Sequence, residues 1–453
     1  MKNSKRLLAL AVAAACGAPM AAYATNGMLL EGYGPIATAM GGASMAYDNG
    51  TAGVANNPAT IGLAADGTSR LDVAWGFLGP DVSVTVPTTS GGSGVKAKSA
   101  ADAFNMPAVG WTKKSGNMAY GFGVFAQGGM GTEYAATSDV ALQSGDKVRS
   151  EVGVARLIVP LTMNVNDKLT VGGSLDYVRA RMDLKMAVPT SALNGMVTGS
   201  SSAWQAAMPG LGGLNWARFD FSDNSDYDGA AKGDGFAYKL GLTYKVNPEL
   251  TVGASYHSET ALSDLSGGAA MSAGNYGAAA SNTFNGTIKV RDFQFPAELA
   301  IGMSYQPSDK LQVVADIKSV QWSSVMKKFK MTFIDPTMGA IDVAMEQGWK
   351  DQTVLQLGVG YKVTDAWTVR AGYNGASNPV PNQYVNYLFP AVVETHYTAG
   401  FGYAFNQMSD INFSLTYAPE VKVTGTGTVG TGNGGQIIAH SQTNWQLMYS
   451  HRF

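Results

Sequence analysis

The sequence predicts an all-β protein: a transmembrane antiparallel β-barrel of about 14 strands, with an N-terminal plug (hatch) in its lumen. Three observations carry that reading. Apolar and polar residues alternate in stretches of about 9–11 residues, the length a tilted membrane-crossing strand needs. The composition is rich in small and aromatic residues and poor in charge. Tight turns and long polar links separate the stretches in alternation.

The alternation is clearest late in the chain. Leu355, Leu357, Val359, Tyr361 and Val363 alternate with Gln356, Gly358, Gly360 and Lys362. Trp367, Val369, Ala371 and Tyr373 oppose Thr368, Arg370, Gly372 and Asn374. Residues 397–405 and 411–417 repeat the pattern. In the last strand, Trp445, Leu447, Tyr449, His451 and terminal Phe453 share one parity. Successive side chains of a strand point to opposite faces, so each stretch has one greasy and one polar side. A soluble sandwich hides the greasy side in a core; an outer-membrane barrel shows it to lipid.

The bulk numbers agree. The 453 residues include 56 Gly, 20 Tyr, 17 Phe and 8 Trp, and only 14% are charged. Mean hydropathy is −0.01, between a soluble protein and a helical membrane protein, as expected when lipid-facing and water-facing positions average out. The net charge of −2 gives no reason to expect nucleic acid as a partner.

Taken in order, residues 1–24 read as a secretory signal. Lys2, Lys5 and Arg6 form its basic region, and Leu7 to Ala15 its short apolar run. Ala22-Tyr23-Ala24 places small residues where signal peptidase reads, so cleavage is expected after Ala24. A lipoprotein cut at Cys16 is the alternative, against which Ala13 stands where a Leu is expected. Cys16 is the only cysteine, so the mature chain offers no disulfide and no thiolate chemistry. No cofactor and no metal site are implied.

Residues 25–66 differ from the rest of the mature chain. They are rich in Gly, Ala, Asn and Met, which suits a compact, partly helical plug packed closely on other backbone. A flexible leader is the competing reading. Residues 67–453 form the expected barrel. Its tight turns fall at Asn166-Asp167, Asn247-Pro248-Glu249, Pro307-Ser308-Asp309, Thr364-Asp365 and Asn406 to Asp410. Its long links are 187–232, 264–283, 335–350, 378–393 and 421–441. Short turns are periplasmic and long loops extracellular in such barrels, so both barrel ends fall on the periplasmic side and the strand count is even.

Several segments resemble the FadL/TodX family of outer-membrane transporters for long-chain fatty acids and aromatic hydrocarbons. Asn57-Pro58-Ala59 comes after the Gly-rich stretch. Phe295-Pro296-Ala297-Glu298-Leu299-Ala300-Ile301-Gly302 leads into Asp316-Ile317-Lys318 and Gln321-Trp322-Ser323. Gly348-Trp349-Lys350-Asp351, Trp367 to Tyr373 and Asn378-Pro379-Val380-Pro381 complete the series. The resemblance implies a 14-stranded barrel with a plug and a greasy ligand captured at extracellular loops. It also implies an inward kink in the third strand, leaving a gap through which ligand passes sideways into the membrane. Gln127-Gly128-Gly129-Met130-Gly131-Thr132-Glu133-Tyr134 occupies the kink's place, and Gly inside a strand does favour a bend. The start of a loop is the competing reading.

Passive uptake of hydrophobic molecules at the bacterial outer membrane, most of all long-chain fatty acids, is the function the resemblance implies. Aromatic hydrocarbons are the alternative ligand. Met196, Trp204, Met208, Leu211, Leu214 and Trp216 are candidates for a surface groove, or else they only pack loops together. A carboxylate would want a cation. Arg370 has lumen parity, Lys350 sits where the family places a basic residue, and Lys185 lies one residue from another such position. Each has a solvated or salt-bridged role as the rival reading. Arg179 and Arg181 share the parity of Tyr177 and are candidates to touch lipopolysaccharide phosphates above the lipid. Terminal Phe453 suits recognition by the barrel assembly machinery, and a monomer is expected. An enzyme is disfavoured because no Ser/His/acid set is visible; His257 and Ser258 face opposite ways as strand neighbours. A general porin would lack the plug, and adhesion or phage attachment at the long loops is compatible with transport.

Overall fold

The computed structural model describes residues 26–87, 94–225, 228–427 and 434–453. The expected signal segment 1–24 lies outside them, as does residue 25 of the expected plug. The strands form one sheet that closes on itself antiparallel throughout. Ser69–Val86 pairs with Phe104–Ser115, and next come Met118–Tyr134, Val148–Asn164, Leu169–Pro189, Ala231–Lys245 and Leu250–His257. Glu298–Tyr305, Leu311–Val320, Gln352–Lys362, Trp367–Ala376, Thr395–Ala404, Ser409–Thr426 and Gly434–Arg452 continue the ring. Gly434–Arg452 then pairs back onto Ser69–Val86, Arg452 opposite Arg70.

Parity decides which way each side chain points. Leu175 is 70% exposed, Phe236 63% and Leu240 57%, a greasy exterior that only lipid can cover. Their neighbours Asp176, Ala237 and Lys239 are buried in the lumen. No helix among the described residues is long and apolar enough to cross a membrane.

The long links depart from expectation. Among the described residues the whole sheet has 22 strands, more than close the ring, because the links themselves pair. Segments 264–283 and 335–350 were expected as loops, yet they contribute Leu265–Gly274, the start of Ala280–Arg291, and Gly339–Glu346. Lys328–Asp335 joins Ala280–Arg291 to Gly339–Glu346. Segment 187–232 holds helices Thr190–Met196 and Ser202–Leu211 and the strand Trp216–Phe221. The wall thus continues beyond the membrane, where backbone groups without ladder partners would otherwise need water.

Residues 26–66 lie inside the ring and are nearly all buried. They carry two single-turn helices, Pro35–Thr38 and Gly53–Asn56. Hydrogen bonds tie them to the wall at several heights. Asp316 accepts from the backbone of Ser44 and Met45 at 2.6 and 3.1 Å, and Asp72 accepts from Thr51 at 2.8 Å. Asn57 donates to Met45 O at 2.7 Å and to Leu242 O of the wall at 3.1 Å. Thr162 donates to Pro58 O at 2.7 Å. A β-carbon on Gly172 or Gly241 would strike Asn57-Pro58-Ala59, so bare backbone is what lets this turn dock.

Candidate functional site

Above the membrane, the inner face of the extended wall is apolar. Leu184, Met186, Phe219, Phe221 and Met271 stand on one side of it. Val290, Met331, Phe333, Ile341 and Val343 stand on the other. The same buried cluster takes in Trp322, Trp349 and Phe389 and reaches Met28, Leu29 and Leu30 at the start of the inner segment. Period-two spacing in 280–291 and 328–346 is the signal that would have revealed this face; the Gly and polar residues around it masked it.

Leu30 also lines a small cavity between the inner segment and the wall. Tyr33, Ala52, Met106, Pro107, Ala108, Phe125 and Ala126 are among its other walls. Here the ladder is interrupted. Phe104–Ser115 and Met118–Tyr134 pair only from Ser115↔Met118 to Val109↔Val124. Beyond Val124 the third strand keeps only its partner on the other side, with a register shift between Ala126 and Gly128. Gly128 has φ 144°, which L side chains rarely adopt. Further along, Thr132 donates to Tyr387 O at 3.0 Å and Tyr134 to the same oxygen at 3.3 Å, so this stretch leans against interior residues. Ala100 N donates to Glu133 O at 2.8 Å and bounds the opening above. Gly128, Gly129, Met130 and Gly131 lie within the strand Met118–Tyr134, just past its register shift.

Buried charges surround the bulge. Arg156 donates to Gln127 at 2.6 Å and to Asp176 at 3.1 Å. His257 contacts Asp176 at 3.2 Å and Glu298 at 3.4 Å, and Lys318 pairs with Glu298 at 3.2 Å. Lys239 donates to Ala55 O of the inner segment. Sequence reasoning missed this group, although parity places Arg156 opposite the lipid-facing Leu157.

The candidate cations do not converge on the apolar route. Lys185 shares the outward parity of Leu175 and Tyr177, and it pairs with Asp146 at 2.9 Å and Asp220 at 3.5 Å. Lys147 and Arg149 pair with Glu133, both at 2.9 Å, in the same region. The side chain of Asp146 lies in an extracellular loop; partial burial alone would raise its pKa, but the hydrogen bond and charge of Lys185 hold it below the usual carboxylate range. Lys350 is exposed, beside the buried Trp349. Arg370 does face the lumen, but at the end that carries the tight turns. There it donates to Asn412 at 3.0 Å and lines a charged vestibule of about 1140 Å³ with Asp48, Arg70, Lys310, Asp365 and Arg452.

The groove candidates also shift. Trp204, Leu211 and Trp216 are buried rather than on the surface. Trp204 packs edge-on to Phe284 at 4.8 Å and donates to Gly339 O at 3.0 Å. Met196, Met208 and Leu214 are half-buried against the same cluster. Arg179 is exposed and Arg181 half-exposed, on the outward side.

A closed antiparallel barrel with a greasy exterior and an occupied lumen is the architecture of an outer-membrane protein. The chain belongs to the outer membrane protein transport protein family (OMPP1/FadL/TodX), whose model matches residues 11–447. It is similar to the Pseudomonas putida toluene transporter TodX, with 31% identity and a TM-score of 0.81 over 93% of this chain and 99% of that one. It is also similar to the Ralstonia pickettii toluene transporter TbuX, with 30% identity and a TM-score of 0.75 over 93% and 99%. The long-chain fatty acid transport protein of Escherichia coli strain K12 is 24% identical over 198 residues, 40% of this chain and 41% of that protein. In such matches the chain spans less than half the length of the curated relative. Members of this family are transport channels and not enzymes.

Proposed function

We propose that this protein is a passive channel for small neutral hydrophobic molecules, with monoaromatic hydrocarbons ahead of the long-chain acids that the sequence favoured. Ligand is captured on the apolar inner face of the extracellular sheet and passes Met28 to Leu30. It leaves sideways through the break beside Ala108 and Phe125. Residues 26–66 act as the plug that closes the straight route. The observation that carries the proposal is the continuity of apolar side chains down to that break, set against the charged vestibule at the other end. Each methylene-sized piece of ligand gains about 0.8 kcal/mol on leaving water, so an apolar route draws ligand in and a charged mouth does not. Preference for neutral ligands comes from the cations. Arg156, Lys318 and Lys185 each already hold an acid, and an incoming carboxylate would have to displace it. The likeness to toluene transporters over nearly the whole chain supports the same ligand class.

Monomeric insertion with Phe453 as the assembly signal, and contact of Arg179 and Arg181 with lipopolysaccharide phosphates, complete the proposed setting. The test is uptake of toluene and of oleate by cells carrying two variants. One lacks residues 25–66; the other has a regular alternating strand in place of Gly128 to Gly131. Normal uptake of both compounds by both variants would refute the mechanism. Oleate uptake without toluene uptake by the unaltered protein would refute the ligand class.

A further inference from the structure

Three neighbouring wall strands show a polar layer, a bare layer and a charged mouth within a few residues. Gln356, Asn374 and His396 are directly opposite one another across Gln352–Lys362, Trp367–Ala376 and Thr395–Ala404. All three are 0% exposed. Gln356 donates to Glu31 O at 2.6 Å and Asn374 to Gly41 O at 3.2 Å, which leaves both amide oxygens without a partner. Neither ring nitrogen of His396 has a partner among the described residues.

The next row is Gly358, Gly372 and Thr398. A β-carbon on Gly358 would strike Met40, and one on Gly372 would strike the backbone of Met40 and Gly41. Thr398 accepts from Gly41 N at 3.0 Å. Inner segment and wall touch backbone to backbone here. One row further, Gly360 and Arg370 already line the charged vestibule. Two residues of strand span about 6.6 Å, so the seal is a single layer of bare backbone.

Buried polar atoms with no partner are costly, and in native proteins ordered water usually meets them. We infer that the lumen holds a hydrated chamber at Gln356, Asn374 and His396, and that the contact of Met40-Gly41 with Gly358 and Gly372 is the seal separating it from the vestibule. The barrel then carries a latent aqueous path on the wall away from the apolar break. The seal blocks ions and small polar solutes, while hydrophobic ligand never crosses it.

Ion current across planar bilayers tests this separately from hydrocarbon uptake. Gly372→Ala forces the plug from the wall, so stepwise currents are expected where the unaltered protein gives none. Gly360→Ala has room for its methyl group and should stay silent. Adding His396→Phe to Gly372→Ala should lower each current step, because the ring fills the chamber. Heat-modifiable gel mobility identifies folded barrel, and only folded variants are compared. Should Gly372→Ala not fold, Gly358→Ala tests the same contact. A high-resolution crystal structure of the unaltered protein gives a fold-independent check, with water expected on a ring nitrogen of His396. Folded Gly372→Ala or Gly358→Ala without current, current indifferent to His396→Phe, or a dry His396 would each overturn the inference.

Discussion

Filling the cavity beside the wall break should stop transport without harming the barrel. Ala108 lines that cavity and is half-buried, so Ala108→Trp places an indole where the proposed ligand passes. An aromatic guest of toluene size buries roughly 150 Å², and at about 25 cal/mol per Å² this is worth about 4 kcal/mol. Losing half of that contact removes about 2 kcal/mol, and with about 1.4 kcal/mol per factor of ten, ligand occupancy falls roughly 30-fold. Toluene uptake by cells, normalised to folded protein, should therefore fall at least about tenfold. Ala366→Trp, in the charged vestibule, is the matched control and should change nothing. Full uptake by Ala108→Trp, or an equal loss in Ala366→Trp, would refute the side exit.

Other variants probe the supports. Gly128→Ala puts a β-carbon at φ 144° and should cost about 1–3 kcal/mol, seen as a lower unfolding midpoint in denaturant titrations. Trp204→Ala empties a fully buried site and should destabilise the extracellular sheet by about 3–5 kcal/mol, visible as faster proteolysis of the 187–232 region. Lys185→Met strips Asp146 and Asp220 of a cation and should loosen the segment around Asp146 while leaving toluene uptake per folded barrel unchanged. Because the Asp146 carboxyl is held below its usual range, its hold on Lys185 is present above the ordinary carboxylate value and is lost as pH falls through the lowered one. Loop proteolysis should thus be flat across neutral and mildly acidic pH and rise only in strong acid.

Much of the barrel was legible because period-two patterning is a direct imprint of lipid on one face and lumen on the other. The runs 355–363 and 397–405 show it without ambiguity. Gly128 sits at the register shift of its strand with φ 144°, a conformation its lack of a side chain permits. The extracellular strands were not legible. Leu265–Gly274 is mostly Gly, Ala and Ser, and its partners are long-range pairings that no local window displays. The cations misled for a related reason. Lys185 looked available in sequence, yet Asp146 lies 39 residues away and reaches it only through the fold. Trp204 and Trp216 looked like a surface groove because no local pattern marks which loop residues the neighbouring strands will cover.

The exit of ligand through the wall is tested most directly by photo-crosslinking with a toluene-like diazirine in native outer membranes, with the labelled residues then mapped. Label on Met106, Ala108 and Phe125 is the predicted result. Label on Tyr47, Leu311 and Tyr403 around the vestibule, with none at the break, would contradict it.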